Sequence, residues 1–147
     1  MASGSAGSAE LTARLGLTTA RLSAPESDIP GSLLRTQVPR GPLRPGVGKT
    51  VWTLYEYDRV MRLPDPSDVA VRYPRPGSDA FFVSGFAHGE GELRGTAAVS
   101  DEPYGAGRVV LFTAELELPR IHRWDAAAAL ERDVRARRRT PGCADGS

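Results

Sequence analysis

Cysteine is nearly absent from this chain: Cys143 stands alone among 147 residues. One thiol excludes an intrachain disulfide and a cysteine-based zinc site. Histidine is scarce as well, and neither His88 nor His122 lies in an HxxE or HExxH pattern. No apolar run approaches the roughly 18 residues that span a bilayer. The first ten residues, MASGSAGSAE, lack an apolar h-region, so no export signal is read there and the cytoplasm is the default expectation. An excess of one charge is missing too. Nineteen Lys and Arg face 18 Asp and Glu, for a net charge of +1. The whole chain therefore has no electrostatic case for nucleic acid, and neither nucleic acid nor membrane is expected as a partner.

Glycine and proline are plentiful, at 16 and 12 residues, and they crowd positions 25–48 and 64–78. Few residues remain for regular elements, so the core is expected to be small and mostly β. The length suits about one domain. Ser8 to Leu15 reads as two helical turns, with Leu11 and Leu15 on one face and Gly16 as the stop. Strands are expected at Ser32–Val38, Val51–Tyr57, Val69–Tyr73, Ala80–Phe86, Thr96–Ser100 and Arg108–Glu115, each short and bounded by turn residues. PYGAG signals a turn before the last of them. Asp125 to Arg138 reads as a helix, capped by Asp125 and supported by a Glu131–Arg135 pair. Residues 1–8 and 140–147 read as disordered ends. The fold class is α+β and β-rich, with about four to six short strands and one or two helices.

GPLRPGVGKT, Gly41 to Thr50, ends as a phosphate-binding loop does. The GxxxxGK[ST] spacing puts its first glycine at position 43, which is Leu43. Pro42 and Pro45 have no N–H to offer a phosphate. VWTLYEY follows, and it reads as a strand where a helix N-terminus is required. The segment is a Pro/Gly loop, and no cofactor is expected.

No catalytic grouping stands out. His88, Glu90 and Glu92 in AHGEGE are the one cluster with metal-ligand chemistry, but zinc needs three or four supported ligands and a Gly-flanked run is more often a solvated turn. Ser84 lacks the GxSxG elbow, since positions 82 and 86 are Phe82 and Phe86. Asp65, Asp68, Asp101 and Glu102 fall at turns or strand ends, where short acidic residues belong. Arg135, Arg137, Arg138 and Arg139 suit a solvated helix C-terminus, where the dipole is negative.

Four stretches in order, PGSLLR (30–35), GPLRPGVGKTVWTLYE (41–56), VAVRYPRPGSDAFFVSGFAHGEGELRGTAAV (69–99) and PYGAGRVVLF (103–112), carry a resemblance. Their order and spacing resemble the C-terminal, glutamine-amidotransferase-like domain of some bacterial zinc carboxypeptidases of the carboxypeptidase A type. The resemblance spans about residues 9–113 and implies a partial accessory domain over 9–118 with a flavodoxin-like sheet. A basic helix (119–139) and a tail (140–147) follow. It implies structural roles for Gly46, Gly85, Gly91, Gly95, Gly105 and Gly107, and a final core strand at Val109–Phe112. The zinc ligands and catalytic Glu of that family lie in another domain, and Cys143 lies outside the matched region. The resemblance thus implies a fragment that is not itself an enzyme, partnered by a peptidase domain or another protein. After Phe112 the family continues with an aromatic-Pro-x-aromatic-Arg stretch and a helix, whereas this chain reads AELELPRIHRW. Two other roles stay open: a small module that pairs through a sheet edge, and a minor enzyme built on His88, Glu90 and Glu92.

Overall fold

The computed structural model describes residues 2–3, 6–40, 44–78 and 81–117. The expected helix at 125–138, the tail at 140–147, His122, Cys143 and the four C-terminal arginines lie outside the described residues. Residues 1–117 form one compact unit.

The elements run β1 (Ala2–Ser3), α1 (Ala6–Arg14), β2 (Arg21–Ser23), β3 (Asp28–Gln37), α2 (Arg44–Val47), β4 (Thr50–Tyr55), β5 (Val60–Arg62), β6 (Val69–Arg72), β7 (Phe82–His88), β8 (Ala97–Tyr104), β9 (Gly107–Phe112) and β10 (Glu115–Glu117). Short 3₁₀ turns precede β6 at Pro66–Asp68 and β8 at Glu90–Leu93. The chain is β-rich with few short helices, as its turn-punctuated apolar runs imply. It has ten strands among the described residues, more than the four to six expected. The additional ones are two or three residues long, and they exist through their partners: β2 on β5, β10 on β4, β1 on β9. Residues 1–8, read from the sequence as a disordered start, include β1 and the first residues of α1.

The sheet path is β1-β9-β8-β6-β3-β4-β10, with β7 also on β3 and β5 bridging β2 to β8. Every ladder is antiparallel except β1–β9. The β8–β9 hairpin closes through Gly105 and Ala106, with Gly105 at φ 56, the first-position glycine that tight hairpins favour.

The curled sheet encloses an aromatic core. Tyr55 and Tyr73 meet edge to face at 6.3 Å, Tyr73 and Phe81 lie 6.1 Å apart, and the Arg94 guanidinium caps the Phe81 ring at 5.0 Å. Beside it, Ala20, Met61, Ala97, Val109 and Leu111 form a second apolar cluster, flanked by Leu17 and Leu22. The segment after α1 therefore covers part of the β8–β9 surface. Helix α1 ends in paired bonds, Gly16 N to Ala13 O and Leu17 N to Thr12 O, around Gly16 at φ 68. It buries Ala9 and Thr12, while Leu11 and Leu15 share a face that is exposed.

Candidate functional site

The His88 grouping sits at the corner between β7 and the 3₁₀ turn. Gly89, at φ 79, turns the chain there, and Leu93 anchors the turn in the core. His88 ends the strand opposite Asp28 and is exposed. Glu92 is already engaged: one carboxylate oxygen accepts the backbone N–H of Glu26 at 2.9 Å and of Ser27 at 3.0 Å. Its role here is to latch the loop before β3. Among the described residues, no three His, Cys, Asp or Glu side chains form a group that could hold a metal ion. Ser84 lies exposed on β7 opposite Leu33. Lys49 and Thr50 lead into strand β4, so no helix N-terminus follows the Gly-Lys-Thr run.

The remaining acidic residues are structural in different ways. Asp65 accepts the Ser67 N–H at 2.8 Å as the cap of the first 3₁₀ turn, and that bond holds its carboxyl below the usual range. Asp101 pairs with Arg108 across the β8–β9 hairpin, Nε to Oδ1 at 2.5 Å. Burial raises the Asp68 carboxyl, with the Asp65 charge adding to it.

Glu102 is the most heavily bonded of them. It is buried on β8, yet it accepts the Thr18 hydroxyl, the Thr19 N–H and hydroxyl at 2.7 Å each, and the Ser100 hydroxyl at 3.2 Å. Burial pushes its carboxyl up, but these bonds outweigh it and the net shift is downward. An ionised carboxylate inside the fold thus tethers the segment after α1 to the sheet. The sequence gives no local sign of this role, because Thr18 and Thr19 lie more than 80 residues away.

Tyr55 and Tyr73 are held neutral, each chiefly by burial. The Tyr55 hydroxyl donates to the Asp58 carbonyl at 2.5 Å, and the Tyr73 hydroxyl faces Thr53 without a bond of ordinary geometry. Both belong to the core. Tyr57 is different: it is exposed, its hydroxyl donates to Asp28 at 3.1 Å, and it alone among the described non-glycine residues has positive φ, at 49.

The six glycines of the resemblance divide by backbone. Gly85, Gly95 and Gly105 have positive φ, while Gly46, Gly91 and Gly107 do not. Gly85 is the most constrained. Its φ is 109, and a Cβ there would lie 2.5 Å from the Gly31 carbonyl and 2.9 Å from Ser32 Cα. Only glycine lets β7 approach β3 this closely.

Several large apolar side chains are exposed: Phe82, Val83 and Phe86 on β7, Trp52 on β4, and Tyr57. Phe86 and Trp52 stand opposite Gly31 and Arg35 of β3, residues of one parity, so they share a face of the sheet. Comparison with protein-family models, curated proteins and solved structures finds no match to this chain.

Proposed function

We propose that this chain is a non-catalytic accessory domain related to those of zinc carboxypeptidases, acting by packing its surface against another protein or domain. The observation that carries the reading is the apolar surface on β7 and β4. It exposes two large rings, Phe86 at 58% and Trp52 at 41%, on strands that otherwise frame the core. Exposed apolar patches of this kind mark interaction sites. The collinear motifs add support, since SGFAHGEGELRGTAAV runs strand, 3₁₀ turn, strand and PYGAGRVVLF spans a hairpin. A flavodoxin-like sheet is parallel, and the ladders here are antiparallel apart from β1–β9. The ladders therefore support the β-rich part of this reading and not its flavodoxin-like detail. The engagement of Glu92 by backbone amides argues against the metal-enzyme alternative.

The test is an assay of the full chain, with zinc added, for release of the C-terminal residue from an acylated dipeptide. No hydrolysis above a buffer control is the expected result. Hydrolysis that disappears in His88→Ala would overturn the reading in favour of an enzyme.

A second reading, a module that pairs through a sheet edge, has its own support. Among the described residues β7 pairs only with β3, and it carries no Lys, Arg, Asp or Glu to guard its outer edge. A lysine placed on that edge, Val83→Lys, would abolish any association that uses it.

A further inference from the structure

Helix α1 and the turn that follows it are tied into one piece. The Gly16 and Leu17 N–H groups close the helix on the Ala13 and Thr12 carbonyls, and the Ala20 N–H donates to the Thr18 hydroxyl at 3.0 Å. The arm so formed meets the sheet largely through small side chains. Ala9, Thr12 and Ala20 are buried and Leu17 is half-buried, whereas Leu11 and Leu15 are exposed. Lifting the arm therefore uncovers little apolar area of its own. Ahead of the helix, β1 adds a parallel ladder of two residues, Ala2 on Val110 and Ser3 on Leu111, along the outer edge of β9. At its other end the arm runs into the three residues of β2, whose first ladder pair sets Arg21 directly opposite Arg62. Like charges so placed weaken a ladder, which makes this the point where the arm can swing. Glu10 meets Arg59 at 2.6 Å, but both partners are partly exposed and such pairs contribute little. Glu102 is the strong tie. It takes three donors from the arm: the Thr18 hydroxyl on one oxygen, and the Thr19 N–H and hydroxyl on the other.

We propose that β1, α1 and residues 17–20 form a strap that opens from the sheet as one unit, with the Glu102 carboxylate as its latch. Opening bares the outer edge of β9 and the cluster of Met61, Ala97, Val109 and Leu111, which the closed strap keeps from pairing or packing with another chain. The inference concerns this arm alone, so the hydrolysis assay above neither supports nor removes it. The chemistry of the latch makes it acid-labile. Ionised, the carboxylate accepts from every donor around it. A proton on the oxygen that holds Thr19 would meet an N–H that cannot reverse, while the hydroxyls of Thr18 and Ser100 on the other oxygen can turn and accept. Charged bonds then become neutral ones of about half the strength. The charged groups around the latch are Asp68, with Asp65 behind it, on the 3₁₀ turn before β6, Asp101 beside it on β8, and Arg108 of β9, which Asp101 already holds. Hydrogen-bond donors, and not a counter-ion, therefore keep Glu102 charged, and they hold its carboxyl below the ordinary 4.5. The latch is fully set above that value and is released as pH falls through the folded pKa.

The experiment is native-state hydrogen exchange of the full chain in low urea, read residue by residue. The bonded amides of Leu15, Gly16, Leu17, Thr19 and Ala20 should share one opening equilibrium. It should be easier than that of the Val51–Tyr55 amides and depend less on urea, because less surface is exposed. Glu102→Gln should raise the opening constant of the strap at least about tenfold, and Thr19→Ala, on the arm side of the latch, about fivefold. In the unmodified chain the constant should rise between about pH 6 and about pH 3.5, once intrinsic exchange rates are divided out. That rise should vanish in Glu102→Gln and persist in Glu10→Gln, which removes the other ionic contact of the arm. Strap amides that exchange only through global unfolding overturn the proposal, as do strap amides with no protection at neutral pH. So does an opening constant that neither Glu102→Gln nor Thr19→Ala changes, or an acid response that survives in Glu102→Gln.

Discussion

The Glu102 carboxylate accepts both the backbone N–H and the hydroxyl of Thr19 at 2.7 Å, joining residues 83 positions apart. Glu102 stands on β8, between β9 and β6, and Thr19 on the segment that leaves α1. A buried carboxylate is tolerated here because each neighbour donates to it, and the charged form is the one those donors prefer.

Replacing Glu102 with Gln removes the charge and mismatches several donors. A loss of roughly 2–3 kcal/mol is expected in urea unfolding, the usual scale for hydrogen bonds to a charged group. The pH dependence has a definite sign. The folded carboxyl titrates below its ordinary value of 4.5, so its stabilisation is complete above that value and is lost as pH falls through the folded pKa. Stability of the unmodified chain should decline in acid more steeply than that of Glu102→Gln.

Gly85→Ala should be costly and Gly91→Ala nearly silent. At Gly85 the new methyl meets Gly31 and Ser32 backbone at positive φ, whereas at Gly91 nothing lies within 4 Å of it. Losses of roughly 3 kcal/mol and under about 0.5 kcal/mol are expected from denaturant midpoints at constant m-value.

Glu92→Ala releases the two amides it holds, those of Glu26 and Ser27. Both should exchange faster with solvent, with a global loss of about 1–2 kcal/mol. Protection elsewhere in β8 and β9 should fall only by that global amount.

Tyr57 occupies a left-handed backbone conformation that a bulky residue adopts at a cost. Tyr57→Asn should retain or raise the melting temperature, because asparagine tolerates that region, even though the bond to Asp28 is lost. A drop of more than about 1 kcal/mol would mean that the ring and hydroxyl outweigh the strain.

Much of the sheet was legible in the sequence. Val51–Tyr57 and Arg108–Glu115 are apolar enough, and Gly/Pro-bounded enough, to read as strands, and β4 and β9 occupy them. Arg21–Ser23, Val60–Arg62 and Glu115–Glu117 were not legible, because a strand of three residues carries no period and owes its form to a distant partner. The spacing of Leu11 and Leu15 marks a shared helical face, but α1 packs through small Ala9 and Thr12 and leaves the leucines outside. The AHGEGE cluster was visible as chemistry, while the use of Glu92 to bind backbone depends on a loop 65 residues earlier. Likewise, no local pattern at Glu102 announces its threonine partners.

Residues 1–117 form one compact unit, and the function proposed for it requires that unit to stand as a β module by itself. Hydrogen–deuterium exchange on the isolated, purified chain tests this most directly. Slow exchange across residues 51–55 and 108–112, with protection of the Thr19 amide, is the predicted result. Rapid exchange throughout those segments would contradict it, because the strands that frame the core and the outer face would then not stand without another chain.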